Sequence, residues 1–371
     1  DLSDMQKDAI VQACNEIIDG KFHDQFIVDP IQGGAGTSTN MNANEVIANR
    51  ALEILGKPKS SYEFIHPNNH INMSQSTNDV YPTAIKLTLH ELIYKLKDAL
   101  RFLRDCFEEK AIEFKDVLKM GRTQLQDAVP MTLGQEFKTF AVMIDDDIYR
   151  LRNVQALLKE INLGATAIGT GINTKASYQR KVISNLREVT GVDYVSAGDL
   201  IEATQDTGSF VHISGMLKSV AIKISKICND LRLLSSGPRA GFNEINLPPL
   251  QPGSSIMPGK VNPVMPEVVN QVAFEVIGAD MTISMASEGG QLQLNVFEPL
   301  IAYKLFTSIN MMRRAFYSLG EKCIKGITAN EDVCMENILN SVTLVTCLNP
   351  IIGYEKCSAL AKEALKNIFE Y

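Results

Sequence analysis

The chain has 371 residues, a formal net charge of -7, 45% hydrophobic and 21% charged residues, a composition typical of an ordinary globular protein. The acidic balance argues against a nucleic-acid partner, which requires a basic surface. No apolar run is long enough to span a bilayer, so no membrane association is expected.

The seven cysteines form no CxxC pair and show no spacing with histidine that is typical of a zinc site. Most of them lie among apolar residues of helical spacing, which predicts buried free thiols in a reducing, cytoplasmic compartment. His66 and His70 have no third ligand close in sequence. A surface or loop-ordering role is therefore favoured over a metal site, and no metal is expected.

Helical spacing of apolar residues dominates the chain and predicts an all-α fold. Sustained alternation of apolar and polar residues is nearly absent, so strands are not expected. The helix after residue 263 is apolar on several sides, which favours a bundle shared between subunits over a monomeric bundle. Helices are predicted over residues 4–19, 44–56, from 79 past 107, around 137–151, and over 207–235, 264–287 and 298–318.

Polar loops interrupt these helices. The first, Asp29–Glu45, contains three glycines before Thr37 and is interpreted on its own as a turn capped by Asn42 or Asn44, with close approach to a ligand as the alternative. The second, Ser74–Asp79, gathers more hydroxyls and amides at a helix start than capping needs, which suits an anion.

A third loop is predicted at Met120–Pro130, with Thr123 and Gln124 near its start. A further glycine-rich segment, Gly164–Gly171, follows a helix and not a strand. A dinucleotide-binding fingerprint is therefore not indicated there.

The fourth loop, Gly253–Glu267, is the richest in chemistry, because its glycines and prolines exclude a regular element. Two interpretations stay open. Either a serine caps the element that follows, or the loop is a flexible lid on which the Lys260 ammonium stabilises a serine alkoxide or holds a carboxylate. The apolar residues Ile256, Met257 and Val261 are expected to pin the loop against a core.

The run GSSIMPGKVNP in this loop resembles the signature of the fumarase/aspartase superfamily. GTS at 36–38, STND at 76–79 and GRTQLQDAVP at 121–130 resemble other loops of that family. The resemblance implies three-domain subunits, a tetrameric helical core and active sites built from loops of three subunits. It divides this chain into domains 1–78, 79–328 and 329–371, the first and last incomplete relative to the family, so the chain is expected to be a piece of a longer polypeptide.

The resemblance also implies roles for the loop residues. Ser254 is the base, Ser255 donates to the developing anion, and Lys260 and Asn262 bind the far carboxylate. The remaining substrate-binding residues are Thr37 for a carboxylate, Ser76 and Thr77 for the carboxylate beside the reacting carbon, Asn78 for the amino group, and Thr123 and Gln124 for the leaving group and the other carboxylate.

Gln124 decides between branches of the superfamily, because fumarases carry a histidine there, paired with a glutamate that matches Glu267. The amide favours the aspartase branch, which interconverts L-aspartate with fumarate and ammonia through an enediolate. No cofactor is implied, although a divalent cation such as Mg²⁺ activates some members. A class II fumarate hydratase and a non-catalytic helical scaffold are the alternatives. His66 resembles a histidine at a secondary dicarboxylate site of fumarases.

Overall fold

The structure, a computed structural model, describes residues 2–175 and 177–368. Helices and short strands follow one another in this order: α1 Asp4–Ile18, α2 Thr37–Ile54, α3 Thr77–Glu113, β1 Leu118–Thr123, β2 Gln126–Thr132, α4 Leu133–Gln155, β3 Glu160–Ile161, α5 Tyr178–Thr190, β4 Val195–Ser196, α6 Leu200–Gln205, α7 Gly208–Leu234, β5 Ile245–Asn246, α8 Val264–Glu288, α9 Glu298–Lys322, β6 Thr328–Ala329, α10 Glu331–Leu339, α11 Asn349–Ile352 and α12 Tyr354–Ile368.

The long helices form where the apolar spacing predicts them. On α3, the residues three and four apart that define the predicted apolar face are fully buried: Leu89, Ile93, Leu96, Leu100, Leu103 and Phe107. Packing of this continuous face, and not helix propensity alone, stabilises a helix of 37 residues.

Helix α2 begins at Thr37, seven residues before its predicted start. Gly36 makes the turn into the helix with φ of 88°, and a Cβ on it would lie 2.7 Å from the ring of Tyr81. The interpretation that Asn42 or Asn44 caps the helix is therefore wrong, since both lie inside it. Residues 37–40 are polar, so apolar spacing does not mark the start of this helix.

The predicted loop Met120–Pro130 is instead an antiparallel hairpin, in which Leu118 pairs with Thr132 and Thr123 with Gln126. The expectation that strands are absent is wrong at this point. Two of the residues that face Glu244 are charged: Lys119 is 2% exposed, and Arg122, three residues further along the strand, is partly buried. Alternation of apolar residues therefore could not reveal the hairpin.

The chain divides into two compact units. The first comprises residues 1–94, 151–217 and 277–309, and contains a core where α1 and α2 pack through Ala9, Ala13 and Leu52. The second comprises residues 95–150, 218–276 and 310–371, and contains an aromatic cluster of Phe107, Phe114, Phe137 and Phe140. The division into three domains stays a prediction.

Helix α8 keeps an apolar face uncovered within this chain. Phe274, Met281 and Met285 are 62%, 64% and 68% exposed, and Ile277 lies between them at helical spacing. Exposed apolar surface of this extent on one helix is typical of a protein interface.

Every helix within residues 2–175 and 177–368 is too short or too polar to cross a membrane. All seven cysteines are free thiols, and five of them are buried.

Candidate active site

Thr37 is the first residue of α2. Its Oγ1 donates a hydrogen bond to the Gly34 carbonyl oxygen over 2.8 Å, and its N–H donates to the same oxygen over 3.0 Å. The hydroxyl proton is therefore used inside the loop in this conformation. The N-terminus of α2 still supplies the positive end of a helix dipole beside this side chain.

The side chains of Ser76 and Asp79 cap the start of α3. The Ser76 N–H donates to Asp79 Oδ1 over 3.0 Å, and the Asn78 N–H donates to Ser76 Oγ over 3.2 Å. Because Ser76 Oγ accepts this bond, its own proton remains available to a ligand. The crowding of polar residues here thus contains both a cap and further donors, as the sequence indicates.

Asp79 fastens the start of α3 to the loop that follows β3. Its carboxylate is fully buried, and Oδ2 accepts from the N–H groups of Gly164 and Thr166 over 3.1 and 2.9 Å. Burial raises the pKa of Asp79 to about 6, against the opposing effect of these backbone donors.

The same loop holds Asn78, whose Nδ2 donates to the Ala167 carbonyl oxygen over 2.8 Å. Sequence reasoning missed both Asp79 and this loop as parts of the site. The glycines at 164, 169 and 171 are the signal for this loop in the sequence.

An amide network joins the first two loops. Asn40 Nδ2 donates to Thr77 Oγ1 over 3.0 Å and to Asn72 Oδ1 over 3.1 Å. Asn44 Nδ2 also donates to Asn72 Oδ1, over 3.2 Å. The starts of α2 and α3 are therefore fixed against each other, and the structure brings Thr37, Ser76, Thr77 and Asn78 into one region of the first unit.

Gln124 and Leu125 form the two-residue turn of the hairpin, with φ of 54° and 62°. Positive φ at both central positions defines a type I′ turn, which asparagine and glycine prefer, so two larger side chains here cost free energy. Such a cost is typical of functional segments, and Thr123 precedes the turn directly.

A buried ion cluster fixes strand β1 of the hairpin. The fully buried Glu244 carboxylate lies 2.8 Å from Lys119 Nζ and 2.6 Å from an Arg122 guanidinium nitrogen. Lys119 Nζ also lies 2.6 Å from a Glu136 carboxylate oxygen, and the Arg122 guanidinium stacks 4.3 Å from the centre of the Phe242 ring. A carboxylate shared by two cations holds the hairpin in one position.

The segment from Gly253 to Pro263 contains no regular element, as predicted, whereas the last four residues of the predicted loop, 264–267, form the first turn of α8. Its backbone closes on itself, since the Ser254 N–H donates to the Lys260 carbonyl oxygen over 3.1 Å. The N–H groups of Ile256 and Met257 donate to Ser254 Oγ over 3.3 and 3.2 Å. Backbone donors directed at an oxygen favour its anionic form, so this turn is suited to a serine base.

The structure excludes one of the two interpretations of this loop, in which a serine caps the element that follows. Helix α8 begins at Val264, so neither Ser254 nor Ser255 caps it. Ile256 is 83% exposed, and Met257 and Val261 are about half exposed. The expectation that these apolar residues pin the loop to a core is therefore wrong within this chain.

The second unit contains the hairpin tip and the serine loop, and with them Thr123, Gln124, Ser254, Ser255, Lys260 and Asn262. Among the described residues, no hydrogen bond or ion pair joins the tip of the hairpin to the serine loop. Within the second unit, the predicted residues thus lie on two separate segments.

His66 and His70 order their own loop. His66 Nδ1 accepts hydrogen bonds from the N–H groups of Asn68 and Asn69, and His70 Nδ1 accepts from the His66 N–H over 2.8 Å. The predicted loop-ordering role is confirmed. In the part of the chain that the structure describes, no group of His, Cys, Asp or Glu side chains is arranged to hold a metal ion.

Comparison with known proteins identifies the class. Residues 2–278 match the protein family described as Lyase, and residues 344–368 match the one described as Fumarase C C-terminus. The closely similar fumarate lyase:delta crystallin of Brucella melitensis, whose structure was solved with cobalt bound, has a TM-score of 0.96 and 55% identity over 99% of this chain and 80% of that chain. This similarity confirms the predicted all-α fold of the fumarase/aspartase type.

Two relatives narrow the class. The aspartate ammonia-lyase of Helicobacter pylori is 62% identical over 97% of this chain and 77% of that protein. The aspartate ammonia-lyase of Escherichia coli is 57% identical over 95% of this chain and 74% of that protein. The chain therefore belongs to this lyase family and, within it, to the aspartate ammonia-lyases.

Proposed function

We propose that this protein catalyses the reversible deamination of L-aspartate to fumarate and ammonia, with Ser254 as the base. The observation that carries the proposal is the identity of 57% to 62% with aspartate ammonia-lyases over nearly the whole chain. The polar loops support it, because each supplies the type of group that the reaction needs.

In the first step, the Ser254 alkoxide removes a proton from C3 of aspartate. The electron pair left on C3 moves into the adjacent carboxylate and forms an enediolate, while Ser254 becomes neutral. The hydroxyls of Ser76, Thr77 and Ser255 donate hydrogen bonds to this dianion, which gains more from them than the substrate does.

In the second step, the enediolate electrons form the C2–C3 double bond and the C2–N bond breaks. Ammonia leaves with the bonding pair, so the product is fumarate, and the proton on Ser254 then passes to solvent, which restores the alkoxide. Asn78 donates its Nδ2 to Ala167, which leaves Oδ1 as an acceptor for the amino group. Gln124 and Thr123 serve the leaving group and the other carboxylate from the hairpin tip.

Lys260 and Asn262 bind the carboxylate remote from the reacting carbon. Lys260 is exposed on the serine loop, and no ion pair with another described residue occupies its ammonium. Thr37 serves a carboxylate when its hydroxyl turns from the Gly34 carbonyl to the ligand. The substrate dianion thus meets one full positive charge and several neutral donors.

The site is assembled from several copies of the chain in a homotetramer. Two observations support this assembly: the uncovered apolar face of α8, and the exposure of the apolar residues on the serine loop. Burial of such surfaces by neighbouring subunits also excludes water from the reacting carbon.

The reaction requires no cofactor, because proton removal and loss of ammonia need only a base and donors. Activation by a divalent cation such as Mg²⁺ belongs to the same proposal. The free cysteines are in keeping with a reducing cytoplasm.

The test is a product assay on the purified protein. With L-aspartate, the ultraviolet absorbance of fumarate should rise, and fumarate with ammonium should yield aspartate. Abundant malate from fumarate and water without ammonium would instead indicate a fumarate hydratase. A flat trace in every assay, from a folded tetramer, would indicate a non-catalytic scaffold.

A further inference from the structure

The donors and acceptors in the amide network around Asn40 can be assigned, starting from one hydrogen bond to a backbone carbonyl. Asn72 Nδ2 donates to the Gln75 carbonyl oxygen over 3.2 Å, and a carbonyl can only accept. Asn72 must therefore present Oδ1 to the two amides that contact it, those of Asn40 and Asn44. Both of these amides must then present nitrogen.

The polarity continues from Asn40 to Thr77. The same Asn40 Nδ2 lies 3.0 Å from Thr77 Oγ1, and an amide nitrogen can only donate. The Asn40 Oδ1 in turn accepts from Asn44 Nδ2 at 3.4 Å, which opposes a flip of the Asn40 amide. Thr77 Oγ1 is thus an acceptor within the protein.

A hydroxyl that accepts at one side has its single proton left for another partner. Among the described residues, no acceptor takes the Thr77 proton. A carboxylate is an acceptor only, so it binds a threonine well only when that threonine donates. The network therefore prepares Thr77 for the role that a carboxylate substrate requires.

We propose that Asn40 is a positioning residue that keeps the Thr77 hydroxyl as a donor toward the substrate carboxylate. This inference rests on the proposed function, in which Thr77 contacts the carboxylate that becomes the enediolate. The charge on that group grows during the reaction, so the contact matters more in the transition state than in the bound substrate. A fault in Thr77 orientation lowers kcat more than it raises KM.

Asn40→Asp is the sharpest test, because it keeps the side-chain shape and reverses the polarity. A carboxylate at position 40 accepts the Thr77 proton and turns it away from the substrate. We expect kcat to fall about 100-fold, the typical effect of losing one preorganised donor. Acidification should restore part of kcat, because a protonated Asp donates again, and this acid limb should be absent from the unchanged protein.

Asn40→Ala distinguishes a reversed hydrogen bond to Thr77 from the simple loss of that bond. It leaves the Thr77 hydroxyl free to donate without holding it, so we expect about a tenfold loss of kcat, smaller than that of Asn40→Asp and without an acid limb. Asn49→Asp is the matched control. Asn49 lies on the same helix and donates to Glu45 and Tyr62, outside the site, so its kcat should be unchanged.

If Asn40→Asp fails to fold, a double-mutant cycle of Asn40→Ala with Thr77→Val decides the matter, since Asn40→Ala should cost nothing further once the hydroxyl is gone. Equal kcat for Asn40→Asp and the unchanged protein, or additive losses in the cycle, would overturn the role of Asn40 alone. An unchanged protein that forms no fumarate from aspartate would overturn the proposed function as well.

Discussion

Ser254 accepts two backbone hydrogen bonds from the turn that it begins, although the loop around it has no regular structure. The hydroxyl is therefore held in place by its own segment, while the segment as a whole is exposed. Under the proposed function, this arrangement separates the local orientation of the base, Ser254, from its delivery to the substrate. A side chain that must act as an alkoxide gains from fixed N–H donors, because they need no reorganisation when charge develops.

Ser254→Ala should lower kcat by about 100- to 10,000-fold, the range for loss of a catalytic base, and leave the thermal midpoint unchanged. The ultraviolet fumarate assay measures kcat, and circular dichroism measures the thermal midpoint. Ser184→Ala, on the exposed face of α5, should retain full activity. Retained activity in Ser254→Ala would mean that another group removes the proton.

Glu298 is a buried acid that the proposed reaction does not use. It is the first residue of α9 and is 3% exposed, and its Oε2 has no hydrogen-bond partner among the described residues. Burial raises the pKa of Glu298 from its ordinary value of 4.5 to about 8, with the charge of Lys86 acting in the opposite direction. The folded protein thus holds a proton that the unfolded chain has released at neutral pH.

The pH dependence of stability follows from this difference. The stability linked to the Glu298 proton is complete below pH 4.5 and is lost as pH rises through about 8, with a slope of at most about 1.4 kcal/mol per pH unit. Glu298→Gln should remove this loss, as urea midpoints across the same pH range will measure. The exposed Glu63→Gln should leave the slope intact, and an equal slope in Glu298→Gln would contradict the assignment.

At the scale of elements, the long helices and the loop that contains Ser254 could be predicted from the sequence. Apolar spacing marks α3, α7, α8 and α9 because their buried faces are continuous. The start of α2 could not be predicted, because Thr37 to Asn42 offer hydroxyls and amides where the pattern requires apolar residues. The hairpin could not be predicted for a related reason. Its inward side chains, Lys119 and Arg122, are charged, and they are neutralised by a glutamate more than 100 positions away.

The proposed site residues divide in the same way. Ser254, Lys260 and Gln124 stand in recognisable runs, so a resemblance finds them. Asp79, Asn40 and the loop after β3 act through hydrogen bonds between segments distant in sequence, and no local pattern encodes such pairs. Which of their atoms donate and which accept hydrogen bonds depends on the positions of the surrounding backbone carbonyls and N–H groups.

Gly169 tests the importance of the loop after β3. Its φ is 98°, and a Cβ there would lie 2.4 Å from the backbone of Ile201 at the start of α6. Gly169→Ala should therefore lower the free energy of unfolding by about 2 to 3 kcal/mol, through backbone strain and a clash with an atom that cannot move easily.

Urea unfolding of Gly169→Ala measures this cost, and the fumarate assay should show a parallel loss, because the loop holds Asn78 and Asp79. Gly198→Ala is the matched control, since no heavy atom lies within 4 Å of its added Cβ. Its stability should change by no more than about 0.5 kcal/mol. Similar stabilities for the two variants would show that the loop yields at position 169.

At the scale of the whole molecule, a shared site has a consequence that a site within one chain does not have. Ser254→Ala and Thr77→Ala should each be inactive as pure proteins. When the two are expressed together, random assembly should restore about a quarter of the sites, because an intact site can take Ser254 from one chain and Thr77 from another.

The fumarate assay on the mixed oligomers measures this recovery. Mixing the two proteins without exchange of subunits is the control and should give no activity. Absence of recovery in proven hybrid oligomers would place both residues of each site on a single chain.

The hairpin suggests how substrate choice could change in the course of evolution. Gln124, which faces the leaving group in the proposed reaction, occupies an exposed two-residue turn, whereas the cations that secure the hairpin, Lys119 and Arg122, lie on strand β1 and bind Glu244. The residue proposed to meet the leaving group and the residues that anchor the hairpin are thus different side chains. Substitutions at Gln124 could therefore change the leaving group in the course of evolution without altering Lys119, Arg122 or Glu244.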